Sequence, residues 1–251
     1  MLDLPRITLI CIAGYHDLHE IALRETLRLI KPAAVLAYGN RALDFTLAPE
    51  TIQTRLASAD DVAHVIFHDA PNRVQTTHAL SLDWDGYVVT PDAWDDAFLE
   101  YDYIGAVWPW FTDRVVGNSG FCLRSKRLMD ILRIDPHIKI KQPEDIDICR
   151  NWRSYLELQH GIRFAPEDVA DRFSVEHGPI GGKTFGFHGI WNLFDHRDDT
   201  EIRARLMRMS NDQWMKPQIE TLMYRALCMG RRELYRWIIG YRAQRLAGAK
   251  V

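Results

Sequence analysis

The residues best placed to do chemistry sit in Asp83-Trp84-Asp85-Gly86. An apolar, strand-like run reaches Leu82 and resumes with Tyr87, Val88 and Val89, so the two carboxylates fall on a tight connection between buried strands, where acids are costly. Two carboxylates at i and i+2, beside a glycine that permits a sharp turn, form a compact oxygen cluster. Such a cluster suits a hard divalent cation that also holds a diphosphate. The plain alternative is a hairpin with a solvated Asp-x-Asp-Gly tip, and spacing alone does not separate the two.

Four other stretches carry candidate groups, each with a structural alternative. Gly117-Asn118-Ser119-Gly120 lets backbone approach a ligand while Asn118 donates to a hydroxyl or phosphate, yet it is also good turn chemistry. Trp108 and Trp110 flank Pro109 and could stack on the C–H face of a sugar ring or simply anchor a loop. Glu144, Asp145 and Asp147 open a segment, Pro143 to Leu156, that reads as one helix. Its early acids and later arginines complement the helix dipole whether or not one of them is a base. His188 lies between aromatics in Phe185-Gly-Phe-His-Gly189, and a lone histidine in such a setting is more often a satisfied core residue than a ligand. Arg124 reads either as a phosphate contact or as the solvated start of a helix running to Leu132.

Taken together, several segments resemble a known family: Trp84-Asp-Gly86, Phe98-Leu-Glu-Tyr-Asp-Tyr-Ile-Gly-Ala106, Gly117-Asn-Ser-Gly-Phe-Cys-Leu-Arg-Ser125, Glu144-Asp145, Gly161-Ile-Arg-Phe-Ala-Pro166 and Phe185-Gly-Phe-His188. In this order and spacing they are similar to a family of small proteins assigned to the GT-A glycosyltransferases and long catalogued as a domain of unknown function. The likeness spans about residues 7 to 193. It implies a GT-A-like fold, with Asp85 and His188 as ligands to a divalent cation and Asp83 as a weaker third, because the family carries Gln at that position. It also implies donor contacts from Gly117 to Gly120, with Ser119 replacing a Gly and adding bulk. An acid at the start of the Glu144 helix would face the anomeric carbon: Asp145 first, Glu144 second, Asp147 third. Where the family has Pro, this chain has Val107, which leaves the course of the Trp108 to Trp110 loop open.

The elements that must position these groups are legible in outline. Ile7 to Ile12 reads as a buried parallel strand whose carboxyl end, at Ala13-Gly14, opens where ligands bind in α/β sheets, making Ala13 a donor-side candidate. A helix from Leu18 to Ile30, stopped by Pro32, and a strand from Ala33 to Ala37 complete a crossover unit. His64 to His68 reads as a third strand, Pro91 to Leu99 as a short helix, and Tyr101, Phe121 and Gly161 each open a further strand.

At 251 residues, 47% hydrophobic with eight tryptophans, the chain can bury a sizeable core. Its net charge of -3 argues against a nucleic-acid partner. Cys11, Cys122, Cys149 and Cys228 follow no metal-ligand spacing and read as reduced thiols of a cytoplasmic protein. The apolar start is too short for a signal peptide or membrane span. From Glu201 to Val251 eleven Lys and Arg face four Asp and Glu, leaving -10 on residues 1–200. That basic helical tail suits a dimer interface, packing on the sheet, or contact with the inner face of an anionic membrane.

The resulting expectation is an α/β protein: a GT-A-like, Rossmann-like mixed sheet flanked by helices over residues 1–199, with a helical appendage over 200–251. Its activity would be transfer of a sugar from a nucleotide-diphosphate donor to an acceptor hydroxyl, with Trp108 and Trp110 on the acceptor side. The cation would be Mn²⁺ in preference to Mg²⁺, since imidazole suits the softer ion. Two other classes fit the same residues: a non-catalytic carbohydrate-binding or assembly protein, and a sugar-phosphate nucleotidyltransferase. The latter's glycine- and lysine-rich phosphate loop is absent after Ile12.

Overall fold

The apolar run at Ile7 to Ile12 is the centre of a longer strand, β1 (Leu2–Ala13), in the computed structural model, which describes residues 1–14, 16–41, 51–177 and 183–248. α1 (His16–Leu29) passes directly into β2 (Ile30–Gly39), which pairs parallel to β1. Pro32 therefore lies just beyond the helix, as expected, but already inside the strand that follows. It drives Lys31 into an extended conformation and ends α1 early. Lacking an N–H, it also sits where the β1–β2 register shifts, between Leu4 and Thr8. β3 (Thr51–Gln53) adds parallel to β2.

The strand expected at His64 to His68 is helical instead. Ser58 opens a capping box, its hydroxyl accepting from the Asp61 N–H at 3.1 Å while Asp61 accepts from the Ser58 N–H at 2.9 Å. From there α2 (Ala59–His64), a π-turn (Val65–Asp69) and α3 (Ala70–Arg73) run on without a break. The apolar residues of this stretch cover the sheet and do not belong to it.

β4 (His78–Leu82) pairs parallel with β1, but β5 (Tyr87–Val88) leaves the main sheet altogether. Pro91 to Leu99 forms two 3₁₀ turns, Pro91–Ala93 and Asp96–Glu100, and not one helix. β6 (Tyr103–Ile104) and β7 (Phe121–Ser125) complete the main sheet, with β7 antiparallel to β4 and to β6. Arg124 belongs to β7 and is buried; the following helix, α4 (Lys126–Ile134), is capped by Ser125, whose hydroxyl accepts from the Leu128 N–H at 3.0 Å.

The segment after Pro143 is also broken. α5 (Glu144–Ile146) gives way to a second π-turn (Asp147–Asn151) before α6 (Arg153–His160). π-turns widen a helix locally and are frequent beside functional sites. Gly161 closes α6 at φ +62°, and of the strand expected after it only Phe164 bridges, to Tyr103. α7 (Glu167–Phe173), β8 (Ser174–Val175) and β9 (Gly186–Phe187) follow.

The main sheet is thus mixed, ordered β3-β2-β1-β4-β7-β6, with a small second sheet ordered β5-β9-β8. Alternation along the strands gives it two faces. One buries Tyr103 and Cys122 against Leu128, Ile148 and Leu156, and Ile10 and Ala79 against Val65 and Met129. Elsewhere Phe121 of β7 stacks on Phe173 at 5.2 Å and meets Phe185 at 6.0 Å, while Gly186 lies against the Phe121 ring. This is the α/β architecture, a mixed sheet flanked by helices, that the sequence led us to expect.

These elements make up one compact unit, Met1–His188; Gly189–Val251 is a second. The second is helical: a 3₁₀ stretch (Ile190–Asp195), α8 (Asp199–Leu206), α9 (Asn211–Met215), α10 (Gln218–Cys228) and α11 (Arg232–Gly248). Trp214 is its buried anchor, 5.4 Å from Tyr241. Part of its basic excess is neutralised internally, with Arg225 on Asp195 at 2.7 Å and Arg231 on Asp199 at 3.0 Å. The last three residues of the chain lie outside the described ones, and no described helix is long and apolar enough to cross a membrane.

Candidate metal centre and adjoining cavity

The acidic turn closes tightly: the Asp83 N–H donates to the Gly86 carbonyl at 2.9 Å and the Gly86 N–H to the Asp83 carbonyl at 3.2 Å. It closes on one antiparallel bridge, Asp83 to Gly86, as a hairpin tip does, but beyond it β4 and β5 part into different sheets. Asp85 is buried, whereas the Asp83 side chain is 39% exposed and accepts from His19 Nε2 at 2.8 Å. Burial would raise the Asp83 pKa, but the hydrogen bond and charge of His19 outweigh it and hold the carboxyl below its ordinary value.

His188 comes to this turn from the end of β9. Its Nε2 lies 3.6 Å from Asp85 Oδ1, and its Nδ1 is 3.0 Å from Glu176 Oε1. The imidazole is wedged between two glycines. A Cβ on Gly120 would sit 2.1 Å from His188 Nε2, and one on Gly86 would sit 2.9 Å from His188 Cδ2 and from the Gly120 carbonyl oxygen. Burial pushes the imidazole pKa down, but Asp85 and Glu176 override it and lift it well above its ordinary value. The same pairing carries Glu176 the other way: burial raises its pKa, and the His188 and Asn118 contacts bring it below the ordinary value.

Asn118 holds this arrangement in place. It adopts φ +68°, its Nδ2 donates to Glu176 Oε2 at 2.5 Å, and its Oδ1 accepts from the Gly120 N–H at 3.1 Å. Both ends of the amide that we expected to meet a ligand are therefore engaged within the protein. Gly117 is explained by packing as well, since a Cβ there would strike the Trp108 ring at 1.9 Å.

Asp83, Asp85 and His188 each offer a ligand atom, and these lie within 4.8 Å of one another. Two carboxylate oxygens and an imidazole nitrogen suit a divalent cation. Glu176 behind the far ring nitrogen is the kind of partner that fixes the tautomer and turns the other nitrogen toward a metal.

The remaining expected residues separate into near and far. Asp145 stands close enough to this cluster for Glu176 to bear on its ionisation. Burial first, and then neighbouring Glu144, raise the Asp145 pKa above its ordinary value. Asp147 is buried, each of its oxygens accepting a hydrogen bond, from the Lys141 N–H at 2.8 Å and from Asn151 Nδ2 at 2.7 Å. Ala13 is buried at the end of β1, and its neighbour Gly14 lines a cavity of about 300 Å³ beside the acidic turn. Ser119, Gly120, Glu144, Arg124, His19 and Asp83 also line it. Trp108 is a core residue, edge-on to Phe111 at 5.7 Å, whereas Trp110 is 56% exposed and meets His177 at 4.9 Å. A second cavity of about 380 Å³ is bordered by Trp108, Asp171, Glu176 and His177.

Sequence reasoning missed Glu176 and His19 as parts of the site. Neither stands in a recognisable motif, and Glu176 is brought in only by the pairing of β8 with β9. The burial of Arg124 had a usable signal, an arginine directly continuing the apolar run Phe121 to Leu123.

Comparison with known proteins adds the following. The sequence profile of a family described as "Protein of unknown function (DUF5672)" matches residues 55–188, just over half of the chain. No curated protein matches. Among solved structures, the chain is similar to a glycosyltransferase involved in the glycosylation of the major capsid of PBCV-1, at 14% identity and a TM-score of 0.43, over 80% of this chain and 98% of that one. It is also similar to the apo-form glycosyltransferase GlyE of Streptococcus pneumoniae TIGR4, at 13% identity and a TM-score of 0.41, over 74% of this chain and 54% of that one.

Proposed function

The chain belongs to the DUF5672 family of proteins of unknown function, and we propose that it is a metal-dependent glycosyltransferase acting from a nucleotide-diphosphate sugar on an acceptor hydroxyl. One observation carries this reading: Asp83, Asp85 and His188, backed by Glu176, meet beside a cavity at the carboxyl ends of β1 and β4. That is the edge of an α/β sheet where ligands bind.

Asp85, His188 and Asp83 would hold the cation, with Mn²⁺ favoured by the nitrogen ligand. When bound, such an ion neutralises a departing diphosphate. Gly120 and Ser119 border the donor cavity. In an inverting transfer Asp145 would take the proton of the acceptor hydroxyl as it attacks the anomeric carbon, and a raised pKa makes its carboxylate the stronger base. Asp147 is unsuited to that role, since both its oxygens cap backbone and side chain nearby. The second cavity, with exposed Trp110 at His177, lies where an acceptor sugar could stack.

The test is a panel of uridine and guanosine diphosphate sugars, with and without Mn²⁺, read by thermal shift and then by release of nucleoside diphosphate. Metal-dependent stabilisation followed by release supports transfer. Stabilisation without release across varied acceptors points to a binding protein, and pyrophosphate formed from nucleoside triphosphate and sugar phosphate points to a nucleotidyltransferase.

A further inference from the structure

Arg124 poses a problem that the metal centre does not solve. It is 4% exposed, it lies on β7 with its guanidinium against the Tyr103 ring, and its Nε and Nη2 make no hydrogen bond. A buried guanidinium with open N–H groups is costly unless something completes it. Glu144 Oε1 is 3.7 Å from Nη2, near enough to offset the charge and too far for a hydrogen bond. The two side chains line the same cavity, so a guanidinium and a carboxylate that are not hydrogen-bonded to each other stand side by side there.

We propose that this cavity takes one neutral hexopyranose, Arg124 donating to one ring hydroxyl and Glu144 accepting from the hydroxyl next to it. The proposal rests on the glycosyl-transfer reading and names the sugar class that the same site accepts. Vicinal hydroxyls are both donors and acceptors, and match such a pair. Ile10, Ile12, Val62 and Ile66 line the cavity too, offering apolar surface to the C–H face of a ring. About 300 Å³ is at the small end of ligand pockets, enough for one ring and not for a whole nucleotide sugar. An anionic sugar such as a hexuronate is disfavoured, because Asp83 and Glu144 already line the walls and Glu144 offsets the Arg124 charge. Glu144 thereby becomes a specificity residue and leaves Asp145 as the base.

The experiment is calorimetric titration with Mn²⁺ present, comparing a bare nucleoside diphosphate with its hexose and hexuronate conjugates. Arg124→Gln and Glu144→Gln should bind the bare nucleotide as the wild type does and the hexose conjugate at least tenfold more weakly than the wild type does. Equal weakening of nucleotide and conjugate, no weakening of either, or a wild type that prefers the hexuronate overturns the proposal. Should Arg124→Gln fail to fold, the isosteric Glu144→Gln carries the same comparison. If the wild type binds no nucleoside diphosphate with any divalent cation, the transferase reading fails, and free methyl hexopyranosides in saturation-transfer NMR test the cavity alone. A signal lost in Glu144→Gln then supports it; no signal, or an unchanged one, overturns it.

Discussion

Two places in the first unit set histidines against carboxylates, and they are built opposite ways round. Between Asp85 and Glu176 stands the His188 imidazole. At Asp135 a single carboxylate stands among donors: the His137 N–H at 2.9 Å and Nδ1 at 3.1 Å, Tyr155 Oη at 3.0 Å and His160 Nε2 at 2.8 Å. The second arrangement uses up the oxygen lone pairs and leaves nothing with which to hold a cation; it ties the end of α4 to α6. The first leaves negative charge in excess and one ring nitrogen directed at it. Among the described residues only Asp83, Asp85 and His188 offer three metal ligands together. Counting histidines and acids does not distinguish a metal centre from a clamp; which of them sits in the middle does.

The sharpest way to break this comparison is at Asp85. Asp85→Asn should abolish the Mn²⁺-dependent thermal shift and the binding of nucleotide sugars. Asp145→Asn should keep both and lose turnover by about 10² to 10⁴ in rate, the usual worth of a positioned general base. Release of nucleoside diphosphate at saturating donor reads the second, and titration with Mn²⁺ reads the first. If the two variants behave alike, the division into metal ligand and base is wrong.

How far the sequence went in anticipating this arrangement depends on the kind of signal. Asp83-x-Asp85-Gly86 was legible because acids between apolar runs have few explanations, and the strand ending at Ala13 was legible because a continuous apolar run followed by glycine is distinctive. The stretch His64 to His68 was misread as a strand although Ser58 and Asp61 spelled out the cap of the helix that leads into it; the short apolar run around Val65 fits strand or helix equally well. The role of Asn118 was out of reach for another reason. Its partners Glu176 and His188 are 58 and 70 residues away, and only the second sheet brings them near. Trp108 and Trp110 looked equivalent in sequence, and burial separates them: Trp108 packs on Gly117, while Trp110 faces solvent.

A smaller effect is expected at Glu176, which touches the imidazole and not the cation. Glu176→Gln keeps the size of the side chain but removes the charge that orients His188 through Nδ1. Partners of this kind are worth about 10 to 100-fold in metal affinity. Mn²⁺ titration followed by the melting temperature should show that loss, with turnover recovering at high Mn²⁺. Lower stability with unchanged Mn²⁺ affinity would make Glu176 a packing residue and weaken the contrast with Asp135.

The least effect on function, and a distinct signature on stability, belongs to the clamp itself. The His137 backbone N–H, helped by His160 and Tyr155 against a partial effect of burial, holds the Asp135 carboxyl well below the usual carboxylate range. A depressed folded-state pKa means stability that is fully present above the unfolded value of about 3.9 and is lost as pH falls through the lower folded value. Asp135→Asn should therefore melt at a lower temperature than the wild type at neutral pH. The gap should hold down to about pH 4 and shrink in stronger acid as the wild-type carboxyl takes up its proton. Mn²⁺ should leave the gap unchanged, because no ligand atom of the metal set is involved. A melting series from pH 7 to pH 2, run with and without Mn²⁺, checks both parts, and a gap that closes on adding Mn²⁺ would mean that the two clusters are coupled.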